Sequence, residues 1–263
     1  MGIAEYIDAL RRQGDLLASA AGRSGLEAAV PSCPQWRVKD LVRHTGYIHR
    51  WAMRHITERP SQVIDGPPEE EILRGGPPDP GLLAWFRAGH AALVETLAAA
   101  DPAVECAAFL SAPSPLAFWA RRQAHETAIH RADAELASGM LPEYPAEFAA
   151  DGIDELIMGF GQRRKYQPQA GSAATGGLLR VVTADTGDAW SVTVRQSLLQ
   201  PRRETGAVTA NAAEATGCTV TGSASGLYLY LWNRADTAGA GVAVTGDPGL
   251  LTSWQASVKV RWD

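Results

Sequence analysis

The segment AHETAIHRADAE, residues 124–135, contains residue types from which proteins build metal sites. In the H-E-x-x-H motif of zinc proteases, the two histidines are four residues apart and share one face of a helix. Here His125 and His130 are five residues apart, which is about 140° around a helix, so they cannot bind one ion together. Glu126 and His130 are four residues apart and do share a face. The segment therefore predicts a carboxylate–imidazole pair rather than a zinc-protease motif.

Other side chains of this helix fall on the same face. At about 100° per residue, Trp119, Arg122 and Asp133 lie within roughly 40° of Glu126. The opposite arc, which we expect to face solvent, carries Arg121, Arg131 and Glu135. The face of Glu126 is thus predicted to point into a protein core.

Burial of unpaired ions costs several kcal/mol or more, and a divalent metal bound by Glu126 and His130 would offset that cost. Glutamate and histidine pairs on one helix are used in this way by metal-binding helix bundles. Asp133 is then a candidate hydrogen-bond acceptor behind His130. The alternative is an Arg122–Glu126 ion pair with His130 as an ordinary buried residue.

A catalytic zinc site needs three protein ligands and an open position, so another helix must contribute a ligand. The segment from Trp36 to Glu58 offers His44, His49 and His55, and His90 lies in the next long helix. Helical periodicity does not choose among these four histidines.

The first half of the chain has the pattern of four amphipathic helices, which predicts a four-helix bundle. Asp79 and Ser114 are each followed by proline, a combination typical of helix starts. A connector rich in proline, glycine and acidic residues is long enough to border a site. The helices are predicted at about residues 3–20, 36–58, from Asp79, and 114–139, with the connector at 60–80.

After residue 145 the pattern changes. A helix containing Phe148 and Ile153 precedes two β-branched runs, GLLRVVTAD and AWSVTVRQS, which predict a hairpin. GCTVTG then leads into a helix capped by Ser223 or Ser225, and GVAVTGDPGLLTSW repeats the order of strand and helix. We therefore predict an α+β protein with domains at 1–145 and 146–263.

Composition excludes several classes of partner. The net charge of -5 and pI of about 5.7 leave no basic field for nucleic acid or anionic lipid. No apolar run approaches the length of a membrane span or a signal-peptide core, which predicts a cytoplasmic protein. The cysteines are odd in number and widely spaced, which argues against disulfides and a cysteine-based zinc site: Cys33, Cys106 and Cys218.

The segments SCPQWRVKDLVRHTGYIHRWA and FWARRQAHETAIHRADAE resemble paired helical motifs of the mycothiol-dependent maleylpyruvate isomerase family. GLYLYLWNRADTAGAGVAVTGDPGLLTSW resembles the end of that family's second domain. The resemblance implies a DinB-like N-terminal four-helix bundle and a C-terminal domain like sterol carrier proteins. It also implies that His44 joins Glu126 and His130 at a zinc ion, and that Arg234 of the second domain lies near the cleft.

The activity implied by the resemblance is that of a thiol-dependent cis–trans isomerase or S-transferase. Zinc would activate mycothiol, or another small thiol, for addition to a small electrophile such as maleylpyruvate. Arg234 and Arg122 are candidates to hold the substrate carboxylate, and Arg122 and Trp119 to border the thiol site. His44 and Arg234 are the residues expected to serve catalysis.

Several alternatives stay open from the sequence. The metal could be nickel or iron, because a site with two nitrogen ligands, one oxygen ligand and open positions is permissive. A DinB-fold metal hydrolase with zinc-bound water as nucleophile, or a ligand-binding protein without turnover, would have the same fold. We expect small-molecule partners only, with no nucleic acid or membrane, and a monomer or small homo-oligomer.

Overall fold

The computed structural model describes residues 1–167, 177–195, 198–204 and 217–258. These residues divide into two compact units, one up to Pro142 and the other from Glu143 onward. The first unit is helical and the second contains helices and a mixed sheet, which confirms the predicted α+β class.

Helices make up the regular structure described in the first unit. The four long helices that the sequence predicts are present, and Ser114 caps the last of them by accepting a hydrogen bond from Ala117 N at 3.2 Å. A short helix inside the connector was not predicted; three glutamates in its first turn favour it through the helix dipole. The helices are α1 (Ile3–Ser24), α2 (Val38–Glu58), α3 (Glu69–Arg74), α4 (Asp79–Ala99) and α5 (Pro115–Leu136).

Helix α5 is buried around most of its circumference, which contradicts the solvent face expected for it. Arg131 is 9% exposed and Glu135 is 4% exposed. Helix α1 packs on this side, where Arg131 Nη1 donates to Gln13 Oε1 at 3.0 Å. The charge of Arg131 is matched by Glu135, at 3.0 Å one turn away. An ion pair with further hydrogen bonds can be buried where a single charge cannot, and Arg121 stays partly exposed.

The second unit is built on a five-stranded sheet with strand order β3-β2-β1-β4-β5. Strands β1 and β4 are parallel, and the other neighbours are antiparallel. A π-helical turn, Glu155–Phe160, continues the first helix of this unit. The elements are α6 (Ala146–Asp154), β1 (Leu178–Thr183), β2 (Ala189–Arg195), β3 (Leu198–Arg203), β4 (Gly217–Gly222), α7 (Ala224–Leu231), β5 (Ala243–Gly246) and α8 (Pro248–Ser257).

The predicted hairpin is confirmed as β1 and β2, which pair with Val181 opposite Trp190. Residues 196 and 197, at the end of the second predicted strand, lie outside the described residues. Strand β3 was not predicted, because a proline within LLQPRR argues against a strand; it is an edge strand, where proline is tolerated. Ser223, not Ser225, caps α7 and accepts from Gly226 N at 3.1 Å.

Among the described helices, none is both long and apolar enough to cross a membrane. The cytoplasmic location and the oligomeric state stay predictions from the sequence.

Candidate metal centre

Helix α5 places Glu126 and His130 side by side in the interior of the first unit. Their side chains are 5% and 8% exposed, and His130 Nε2 lies 3.1 Å from Glu126 Oε1. The spacing of four residues produces this contact, because residues four apart are neighbours on a helix surface. The predicted carboxylate–imidazole pair is therefore formed.

Helix α2 contributes His44 to the same point. Its Nε2 lies 3.5 Å from Glu126 Oε1, and its side chain is fully buried. One ligand atom from each of His44, Glu126 and His130 can be chosen so that all three lie within 4.8 Å of one another. Two imidazole nitrogens and one carboxylate oxygen are a donor set found in catalytic zinc sites, so the residues fit the metal that the resemblance implies.

The other candidate histidines have different neighbours. His49 Nε2 lies 2.9 Å from Thr127 Oγ1, and His90 Nε2 lies 3.2 Å from the carbonyl oxygen of Arg11. His55 bonds to the backbone of Trp51 and of Ile64. The ring of His125 faces Tyr6, with centroids 6.4 Å apart. Tertiary packing thus selects His44, which periodicity alone could not do.

Glu126 is held in its charged form by its surroundings. Arg122 Nη2 donates to Glu126 Oε2 at 2.8 Å, on the side away from His44 and His130. Burial by itself raises the pKa of Glu126, but hydrogen bonds with His130 and His44 and the charges of His130 and Arg122 hold that pKa well below its usual range. Oε1 therefore faces the two histidines as a carboxylate oxygen.

The surroundings shift the pKa values of the two histidines in opposite directions. Burial lowers the pKa of His44 despite its hydrogen bond with Glu126. Burial also favours neutral His130, but hydrogen bonds with Asp133 and Glu126 outweigh it and raise the pKa of His130 to about 9. A site that stabilises a proton on His130 in this way would also stabilise a cation placed between the same groups.

Behind His130 lies a chain of hydrogen bonds. His130 Nδ1 donates to Asp133 Oδ2 at 2.8 Å, which leaves Nε2 directed toward Glu126 and His44. Ser32 donates to the other oxygen of Asp133, Oδ1. The position of Asp133 on α5 predicts its role as the hydrogen-bond acceptor behind His130. Ser32 was missed, because it is 101 residues away and no local spacing relates it to the helix.

Trp36 forms a wall of the centre. Its ring centroid lies 4.9 Å from that of His44 and 6.2 Å from that of His130. Trp36 is partly exposed, so it stands between the buried histidines and the surface. Ser32 and Trp36 both come from the turn that precedes α2.

For two predicted site residues, the hydrogen bonds described here do not involve His44, Glu126 or His130. Trp119 is fully buried among aromatic rings, and its Nε1 donates to the carbonyl oxygen of Ala107 at 3.0 Å. Arg234 belongs to the second unit, where Nη1 donates to the carbonyl oxygen of Trp232 at 2.8 Å. Their parts in thiol and substrate binding stay predictions.

Comparison with known structures shows the fold. The crystal structure of the mycothiol-dependent maleylpyruvate isomerase is 16% identical, with 93% of each chain covered and a TM-score of 0.60. A histidine-to-alanine mutant of that isomerase is 14% identical over 93% of each chain, with a TM-score of 0.61. A comparison with curated proteins gave no match.

Family models match both halves of the chain. The mycothiol maleylpyruvate isomerase N-terminal domain matches residues 7–135, and the C-terminal domain of the same family matches residues 147–253. The matched ranges include every residue of the candidate metal centre and, in the second half, Arg234. The chain therefore belongs to the mycothiol-dependent maleylpyruvate isomerase family of enzymes.

Proposed function

We propose that this chain is a zinc-dependent enzyme that uses mycothiol to isomerise, or to tag by S-transfer, a small carboxylate-bearing electrophile such as maleylpyruvate. The observation that carries the proposal is the buried group of His44, Glu126 and His130. It occurs in a chain whose two halves match both domains of one thiol-dependent isomerase family.

The residues around the three proposed ligands would fix their geometry. Arg122 holds Glu126 Oε2 and leaves Oε1 for the metal. Asp133 orients the ring of His130 so that Nε2 points to the same place. A zinc ion bound there with one open position would lower the pKa of a thiol and make its thiolate available at neutral pH.

In the proposed reaction the thiolate sulfur adds to the carbon–carbon double bond of the electrophile. A carbon–sulfur bond forms, the π bond breaks, and its electron pair passes to the conjugated carbonyl group as an enolate. Rotation about the resulting single bond and expulsion of the thiolate give the trans isomer. If solvent water protonates the enolate at carbon before the thiolate is expelled, the product is the S-conjugate. We assign the substrate carboxylate to Arg234, because the guanidinium of Arg122 already binds Glu126.

Metal analysis tests the site first. We expect about one zinc per wild-type chain and loss of zinc in His44→Ala and Glu126→Ala. His55→Gln is the matched control, because His55 lies three turns along the same helix and its ring nitrogens bond to the backbone of Trp51 and Ile64. Unchanged zinc in both ligand variants would remove the proposed site.

The thiol and the reaction are tested on the zinc-loaded protein. We expect mycothiol to bind by calorimetry and maleylpyruvate to be converted to its trans isomer or to a conjugate. Arg234→Ala should raise KM for the electrophile without loss of zinc. Tight zinc binding with no binding of thiol would contradict the proposal and would favour a hydrolase instead.

A further inference from the structure

Helix α7 is followed by a residue in the left-handed conformation. Asn233 has a φ of 61°, a region that glycine enters readily and that asparagine tolerates better than most other residues. Asn233 N donates to the carbonyl oxygen of Tyr230 at 3.0 Å, and Arg234 N donates to that of Leu229 at 2.7 Å. These two bonds form a Schellman motif, which ends a helix at a left-handed residue.

The motif fixes the position of Arg234, the residue that we assign to the substrate carboxylate. The backbone N–H of Arg234 is bonded to the last turn of α7, and the side chain returns to the same helix end. There Nη1 donates to the carbonyl oxygen of Trp232 at 2.8 Å. Both the backbone and the guanidinium are therefore tied to the C-terminus of α7, where the helix dipole favours a cation.

Trp232 gives the guanidinium a firm base. Its side chain is buried, and its Nε1 donates to the carbonyl oxygen of Gly152 on α6 at 3.3 Å. Its ring meets those of Tyr228 and Phe160 edge to face, with centroids 6.3 and 6.1 Å apart. Arg234 itself is partly exposed. A guanidinium has five N–H donors, so it can bond to the Trp232 carbonyl and to a carboxylate at the same time.

The conformation of residue 233 decides the direction in which Arg234 leaves the helix. A β-branched residue is strained at positive φ, and a change to negative φ would break the two bonds of the motif and redirect the chain after α7. Glycine has no Cβ and would keep the conformation. The side chain of Asn233 is exposed, so we expect its φ to matter more than its amide group.

We propose that Asn233 is a positioning residue, whose left-handed backbone directs the guanidinium of Arg234 toward the carboxylate of the electrophile. The inference rests on the proposed function and adds the residue that determines where this carboxylate is held. Because the role belongs to the backbone conformation, glycine can replace Asn233 and a β-branched residue cannot.

The test measures KM for maleylpyruvate and kcat separately, on the full-length, zinc-loaded protein with saturating mycothiol. We expect Asn233→Val to raise KM about 10-fold or more, because a small displacement of a binding group is costly. Asn233→Ala, a milder change, should raise KM less and serves if the valine variant does not fold. Asn233→Gly should restore KM to within about 2-fold of the wild-type value. Zinc affinity, measured by competition with a chelator, should be the same in all three variants, because none of them changes a proposed ligand.

Gly187→Val is the matched control for backbone strain. Gly187 has a φ of 73° in the turn between β1 and β2, and none of the described residues that could obstruct an added Cβ lies within 4 Å of it. This variant should lower the urea midpoint, as Asn233→Val does, but should leave KM unchanged.

The outcomes separate the positioning role from the proposed function. If Arg234→Ala raises KM and the valine and alanine variants of Asn233 do not, Asn233 has no positioning role and the proposed function stands. An equal rise of KM in Asn233→Gly or in Gly187→Val would also overturn the positioning role. If Arg234→Ala leaves KM unchanged, the assignment of the carboxylate to Arg234 is wrong, and the role of Asn233 falls with it.

Discussion

At the scale of single residues, Glu126 uses its two carboxylate oxygens for different partners. Oε1 faces His44 and His130, while Oε2 accepts a hydrogen bond from Arg122. Such a division keeps the carboxylate charged and its orientation constant. The same holds for Asp133, whose oxygens accept from His130 and Ser32. Arg122 and Asp133, which are not proposed ligands themselves, therefore position the ligands Glu126 and His130.

Asp133→Asn should weaken zinc binding about 10- to 100-fold, the usual effect of losing a charged partner behind a ligand histidine. Competition with a chromophoric chelator would measure the change. Glu58→Gln removes one negative charge at an exposed ion pair with Arg54 and serves as control for general electrostatics. Equal affinity of wild type and Asp133→Asn would show that Asp133 does not support the ligand.

At the scale of elements, α1 and α4 approach closely where α1 has a glycine. A Cβ added to Gly14 would lie 2.3 Å from the ring of His90, too close for any side chain. Gly22, near the end of the same helix, leaves room for a Cβ, which would lie 3.9 Å from Leu83 Cδ1 in ordinary van der Waals contact. Gly14 therefore sets the distance between the two helices, and Gly22 does not.

Gly14→Ala should lower the free energy of unfolding by about 1–3 kcal/mol, because overpacking outweighs the gain in helix propensity. Gly22→Ala in the same helix should raise it by about 0.5–1 kcal/mol through propensity alone. Urea denaturation measures both. A stabilising effect of Gly14→Ala would mean that α1 and α4 are further apart than described.

In the second unit, an ionic contact closes the turn between β1 and β2. Asp188 Oδ1 accepts from Arg203 Nη2 on β3 at 2.6 Å, and Oδ2 accepts from Thr186 Oγ1 at 2.7 Å. Burial alone raises the pKa of Asp188, but these bonds and the charge of Arg203 lower it below its ordinary value. The contact links the hairpin to its edge strand.

Because the folded-state pKa of Asp188 is lowered, its stabilising contribution is present above the unfolded pKa of roughly 4 and is lost as pH falls through the folded value. Asp188→Asn should therefore cost about 0.5 kcal/mol at pH 7, a small amount because the pair is partly exposed. The difference from wild type should disappear once the pH has fallen below the lowered folded-state pKa of Asp188. A difference that persists in acid would point to a cause other than this charge.

At the scale of the whole molecule, the proposed metal ligands all belong to the first unit. His44, Glu126 and His130 lie before Pro142, and the two helices that carry them share one hydrophobic core. Arg234 lies in the second unit. Metal binding and the proposed binding of the substrate carboxylate are thus assigned to different units.

A fragment of residues 1–142 should accordingly fold as a helical unit and bind zinc within about 10-fold of the whole chain, because no proposed ligand is missing. It should lack isomerase activity if Arg234 holds the substrate. Circular dichroism and chelator competition are the measurements, with His44→Ala in the fragment as control. A folded fragment without zinc affinity would show that the ligand set is incomplete.

Much of the site could be predicted from local spacing on α5. Glu126, His130 and Asp133 lie on one helical face at separations that any α-helix brings together. The choice of His44 among four histidines came from the family resemblance, since periodicity placed several of them near one apolar arc. Ser32 could not be predicted, because its contact with Asp133 depends on how the turn before α2 packs on α5.

By itself, the sequence determined the α+β class, the long helices and the paired glutamate and histidine, because these depend on periodicity and on neighbours within one helix. The tertiary structure decided which histidine meets that pair and that Arg131 and Glu135 are buried. These features arise from contacts between elements far apart in the chain, and no local pattern encodes which faces of two helices will meet.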